Sequence, residues 1–258
     1  VDGSVDPSAL EAMIDQRVRL IALTWLPANG GLINDAAAIG RIARSAEIPY
    51  FVDAGQAVGQ MPVDVAEIQC DVLKSAGRKH LRGPRGTALL FVRQDFLPRL
   101  RPAFLDVLSG PWLDGAEAIR KDARAFETSE QSVALILGLG SAIAEARSLN
   151  LSVIQQRVRA LAEVVRERLA VIEGVTVRDL GAIRSGLVSF TIDSVDLTQA
   201  RTRLYDQGIV VGLNGPAYTP FDMTERGLAA VLRASLSYLN TTQEIDTLVA
   251  AVAEIARP

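Results

Sequence analysis

The sequence predicts an α/β protein in which a mostly parallel sheet is followed by a smaller α+β domain. Two observations carry this. Apolar runs such as RLIALTWL (19–26), IPYFVDAG (48–55) and TALLFV (87–92) alternate with a helical pattern, as in a parallel sheet covered by helices. After residue 130 the text changes to two long helical stretches and then to short strands. The expected division is therefore 1–130 and 131–258, with a break among Pro98, Pro102, Pro111 and the polar run DGAEAIRKDARAFETSEQ.

In order, SALEAMI (8–14) has helical spacing, and the strand 19–26 ends in PANGG. INDAAAIGRIARSA opens on Asn34 or Asp35 as an N-cap and places Ala38, Ile39, Ile42 and Ala43 on one face before the next strand, completing a βαβ unit. A strand around Asp71–Leu73, a turn at Lys79 and the strand 87–92 follow. Beyond the break, residues 131–171 read as two helices, the second with arginines on its outer face. VTVRD, GLVSFTID, GIVVGL and LAAVLRASLSYLN read as strands, Gly208 as the cap that ends LTQARTRLYDQG, and Thr241 with Glu244 as a capping box.

Composition narrows the chemistry. A net charge of −3 gives no reason to expect nucleic-acid or membrane binding. One Cys and one His cannot build a structural zinc site or a disulfide framework within the chain. The first residues carry no leader pattern and no spanning segment, so a cytoplasmic location is the default expectation. Only three lysines occur, Lys74, Lys79 and Lys121, so few amines are available for chemistry that needs one deprotonated.

Ligands of open α/β sheets bind beyond the carboxyl ends of the strands, where Asn29, Asp53, Gln56 and Lys79 fall. Asp53 ends an apolar strand, and Lys79 stands 26 residues later among small residues and glycines. An acid that keeps a ring nitrogen protonated and a lysine that carries an aldehyde are what a pyridoxal 5′-phosphate (PLP) enzyme requires. A nicotinamide fingerprint is lacking. PANGG is not one, and GLGSA (138–142) lacks a third glycine and lies in a helical pattern.

The blocks LTWLPANGGLIN, VDAGQAVGQMPVDV, GRKHLRGPRGTALLFVR, DARAFETSE and LRASLSYLNTTQEID resemble the class V aminotransferase family of fold-type I PLP enzymes. That family takes in cysteine desulfurases, isopenicillin N epimerase and hercynylcysteine sulfoxide lyases. The resemblance implies that Asp53 pairs with the pyridine nitrogen, Gln56 approaches the ring hydroxyl, Lys79 forms the Schiff base and moves the proton, and Asn29 belongs to the cofactor pocket. It implies that Arg233 grips the carboxylate of an amino-acid substrate, a contact suited to a bidentate guanidinium. Ala76 stands where the family commonly has a phosphate-binding Ser or Thr, and Ser75 or a backbone donor is the expected substitute.

Arg78 replaces a histidine of the desulfurases, and no cysteine follows Cys70. A thiolate is needed to accept sulfane sulfur. The expectation is therefore a lyase acting through Cα deprotonation without a persulfide, with an epimerase or an aminotransferase as the alternative. A non-catalytic scaffold with a degenerate site is the reading of another class. Family chains carry about 100 further residues before the point that matches Val1. The resemblance thus implies a partial PLP-binding large domain, completed by a second polypeptide or a preceding segment, in an oligomer.

Overall fold

The computed structural model describes residues 2–193 and 195–257. Its first layer begins with α1 (Pro7–Met13), β1 (Ile21–Thr24), α2 (Ala36–Ser45) and β2 (Tyr50–Asp53). It continues through α3 (Val65–Ile68), β3 (Val72–Ala76) and β4 (Ala88–Val92). The strands lie in the order β1-β2-β3-β4, the first three parallel and β4 antiparallel to β3. A parallel pair needs a crossover, and α2 supplies it between β1 and β2. Asp35 caps α2 by accepting from the Ala38 N–H, and Ala36, Ile39, Gly40 and Ala43 form its buried face. A Cβ on Gly40 would lie 1.8 Å from the Ile68 carbonyl, so only glycine lets α2 approach the end of α3 this closely.

The two faces of this sheet differ. Ile21, Leu23, Tyr50, Val52 and Leu73 are buried toward α2, and the Tyr50 hydroxyl donates to the Ala36 carbonyl. Ala22, Thr24, Lys74, Ala88 and Leu90 are exposed on the other face, with Phe51 and Asp53 half-buried among them. One side of the sheet is therefore uncovered by the described residues.

A two-stranded hairpin, β5 (Trp112–Leu113) with β6 (Ala116–Glu117), precedes α4 (Val133–Leu149) and α5 (Leu151–Ala170). Asn150 breaks the two long helices with φ 68°, and its side chain caps α5 at Ser152. β7 (Val175–Val177), β8 (Leu187–Ile192), α6 (Leu197–Asp206), β9 (Gly212–Asn214), α7 (Pro220–Glu225), β10 (Val231–Ser235) and α8 (Thr242–Ala256) complete the chain. Their sheet runs β7-β8-β10-β9, antiparallel throughout. All six residues of β8 are buried, under α5 and α8. Thr241 and Glu244 form the reciprocal capping box, and Gly208 has φ +77° just beyond α6. GLGSA lies inside α4, as its helical pattern indicates. The short helices α3 and α7 went unforeseen, because four to six residues are too few to display a 3.6-residue period.

Among the described residues no single helix is long and apolar enough to cross a membrane.

Candidate active site

Strand pairing positions the site. Asp53 closes β2 and is the direct register partner of Lys74 in β3. The Asp53 carboxylate accepts from the Gly55 N–H at 2.9 Å through Oδ1 and meets Lys74 Nζ at 2.6 Å through Oδ2. Past β3 the chain turns tightly. The Gly83 N–H donates to the Gly77 carbonyl at 2.8 Å, and the Arg82 N–H to the Lys79 carbonyl at 2.9 Å. Gly59, with φ +95°, lies against this turn, where a Cβ would come within 2.2 Å of Leu81 N. The segment after β2 thus presses on the lysine turn and holds it.

Lys79 faces Asp53 across Gly55. A Cβ placed on Gly55 would be 2.9 Å from Asp53 Oδ1 and 3.3 Å from Lys79 Nζ. Asp53 and Lys79 therefore meet around a position without a side chain. Burial pushes the Lys79 amine below the usual lysine range. Asp53 opposes that shift, and the charges of Lys74, Arg78 and Arg233 add to it. An amine so placed is more readily neutral, as a nucleophile or base must be.

Arg233, half-buried on β10, donates from Nη1 to the Ala28 carbonyl at 2.6 Å and from Nε to Ser235 Oγ at 3.1 Å. No protein acceptor lies within bonding distance of its Nη2 among the described residues. Desolvation lowers its pKa from the ordinary arginine value. Asn29, beside Ala28, is buried, and its side chain is engaged by the second sheet. Its Nδ2 donates to Thr219 Oγ1 at 2.8 Å and to the Gly215 carbonyl at 3.1 Å, and its Oδ1 accepts from Asn214 Nδ2 at 2.9 Å. Its polar atoms thus join the two sheets rather than turning toward Lys79.

Gln56 is half-buried in the turn after Asp53, its carbonyl accepting from Gln60. Ser75 corrects the expectation that it stands in for Ala76. Alternation along β3 turns it to the face opposite Lys74 and Ala76, where its hydroxyl donates to the Ala54 carbonyl at 3.2 Å.

Two arrangements went unread in the sequence. One is Lys74, whose signal was its place on the same strand face as Ala76. The other is the buried pair of Arg166 and Asp179, at 2.7 Å, in which Asp179 also accepts from the Gly31 N–H and so seats the loop that carries Ala28 and Asn29. Nothing in the spacing of those residues marks them as partners.

His80 is half-buried beside the lysine. Burial, then the charges of Arg233 and Lys79, lower its pKa to about 4. The folded value is below the unfolded one, so stability is full above about pH 6.5 and declines as the pH falls toward about 4. Allowing for partial solvent screening, urea unfolding at pH 7 and pH 5 should differ by about 1 kcal/mol more in the wild type than in His80→Gln. Equal pH dependence in the two proteins would show His80 to be freely solvated.

The residues fit PLP. A carboxylate and a half-buried amine converge on Gly55, where a Cβ would fill the gap between them. The model of the family described as Aminotransferase class-V matches residues 1–248. A probable cysteine desulfurase of Methanothermobacter thermautotrophicus is 30% identical over 262 residues, covering 98% of this chain and 64% of the relative. The apo cysteine desulfurase of Thermococcus onnurineus NA1 has the same fold, with TM-score 0.90 at 23% identity over 99% of this chain and 64% of that one. So has C-DES with glycine covalently linked to its PLP cofactor, with TM-score 0.84 at 21% identity over 98% and 64%.

The chain thus spans a little under two thirds of the length of the relatives it matches. The family bears out PLP as the cofactor. The relatives also correct one expectation. A reaction other than that of a persulfide-type desulfurase rested on Arg78 and on the lack of a cysteine after Cys70, two local features. The likeness to cysteine desulfurases, which other curated relatives share, extends over nearly the whole chain and outweighs them. Fold, site geometry and a match over residues 1–248 agree, and the chain belongs to the class-V aminotransferase family.

Proposed function

We propose that this chain carries the covalent and electronic half of a PLP-dependent cysteine desulfurase site. The single observation behind this is the convergence of Asp53 and Lys79 on Gly55 at the strand ends, in a chain similar over 98% of its length to a probable cysteine desulfurase. When bound, the cofactor supplies an electron sink for the bonds at Cα and Cβ of an amino acid. Lys79 holds the cofactor, then takes the Cα proton, its neutral form favoured by burial. Asp53 keeps the ring nitrogen protonated. Arg233 receives the substrate carboxylate on its uncommitted Nη2, while Ala28 and Ser235 fix the rest of the guanidinium.

Overall, cysteine and an acceptor thiol give alanine and a persulfide. The C–S bond breaks, an S–S bond forms, and the thiol proton ends on the former Cβ. Cys70 is not the acceptor. It is buried before β3, at the end opposite Lys79, and burial raises its thiol pKa to about 11. The accepting thiol is therefore a separate reactant or belongs to a segment outside these 258 residues.

The same reading assigns a cover to the open face of the first sheet. Leu90 and Ala88 are exposed there beside the half-buried Phe51, and Asp53 and Lys74 share that face. A further polypeptide segment, corresponding to the third of the relatives' length that this chain does not match, would close it and complete the phosphate site. Native mass measurement of the purified assembly tests the cover. Incubation with L-cysteine, PLP and dithiothreitol tests the reaction, with equimolar alanine and sulfide expected. Pyruvate and ammonia in place of alanine would overturn it.

A further inference from the structure

Both oxygens of Asp53 already have a donor within the protein. Oδ1 accepts from Gly55 N–H, and Oδ2 is 2.6 Å from Lys74 Nζ. The Lys74 contact is built into the sheet, because the two residues are register partners on adjacent parallel strands and their side chains project from the same face. Its side chain is 58% exposed and that of Asp53 37%, so the ammonium has solvent to withdraw into. A ring nitrogen that donates to Asp53 thus meets a carboxylate with a donor already on each oxygen, and at Oδ2 it competes with this ammonium.

We propose that Lys74 is a positioning residue of the cofactor site, a counter-ion of Asp53 that competes with the ring N–H for its carboxylate. Lys74 then acts in two ways on groups the reaction uses. It weakens the hold of Asp53 on the ring nitrogen, and its charge adds to the burial that lowers the pKa of Lys79. Lys74 and Lys79, five residues apart, thus have opposite tasks. Lys79 bonds to the cofactor, and Lys74 competes with it.

The proposal rests on the reading of Asp53 as the partner of the ring nitrogen, and the experiment separates the two. The wild type, Lys74→Met and Lys74→Gln, each with any polypeptide that co-purifies, are titrated with PLP and with 1-deazapyridoxal 5′-phosphate, whose ring has CH in place of nitrogen. Visible absorbance follows binding, and borohydride reduction with peptide mass mapping reports the adduct on Lys79. Removing the competitor should tighten PLP binding about fivefold, the scale of an exposed ion pair. The deaza analogue, which offers Asp53 no donor, should change less than twofold. In an Asp53→Asn background the selective gain should vanish.

Equal shifts for both ligands, or no shift for either, with the adduct on Lys79 intact, would overturn the role of Lys74 alone. No adduct on Lys79 in the wild type would overturn this role together with the reading beneath it. Two variants of different polarity, checked by circular dichroism, keep a folding defect in one from deciding the result.

Discussion

Lys79→Ala is expected to leave a folded protein that retains no cofactor adduct after borohydride and has lost alanine formation by about 10²–10⁴-fold, the range for removing a positioned base. The turn that carries the side chain is held by the Gly83 to Gly77 bond and the Gly59 contact, neither of which involves Nζ. Stability should therefore change little. Lys79→Arg provides the control, because it keeps the positive charge beside Asp53 and yet cannot deprotonate. It should be as inactive as the alanine variant. With only Lys74 and Lys121 as other lysines, peptide mapping of the reduced wild type has three possible answers. A reduced cofactor on Lys74 or Lys121 would show that the covalent role was assigned to the wrong amine.

Arg166→Met should cost about 3 kcal/mol in denaturant unfolding, at the lower end of the range for a broken buried pair. The Arg166 side chain is 4% exposed and that of Asp179 0%. Nε of Arg166 meets Asp179 at 2.7 Å, and Nη2 donates to the carbonyls of Ser185 and Leu187. Without the guanidinium, Asp179 keeps three neutral donors, the Gly31 and Ser189 N–H groups and the Ser189 hydroxyl, which limits the loss. A second effect follows from position. A Cβ on Gly31 would lie 2.5 Å from Arg166 Nη2, so this loop rests directly on the pair, and the same loop presents the Ala28 carbonyl to Arg233. The KM for cysteine should rise along with the loss of stability. The double variant Arg166→Met with Asp179→Leu, which buries no charge, should recover part of the stability. A loss below about 1 kcal/mol in the single variant would place this pair with exposed ion pairs and dissociate it from the loop.

The helices and strands that order the site were legible for local reasons. Asp35 and Thr241 are caps whose partners lie three residues away, and the apolar face of α2 repeats within a few turns. That Asp53 and Lys79 lie near each other was legible because Asp53 closes β2 and Lys79 stands in the turn just past β3, and the ends of parallel strands converge. The expectation about the reaction failed for the opposite reason. Two positions, Arg78 and the stretch after Cys70, were weighed against a likeness spread through the chain.

Sequence by itself thus determined the order of the main strands and long helices and the parallel start of the sheet, since each depends on short-range periodicity. Tertiary structure alone decided which side chains face which. The register of β2 on β3 set Lys74 against Asp53, and the alternation of β3 turned Ser75 away from the site. Contacts between residues some 190 positions apart engaged Asn29 with Thr219, and Asp179 bridged Arg166 to Gly31. Those contacts come from register and long-range packing, and no local pattern in the chain encodes them.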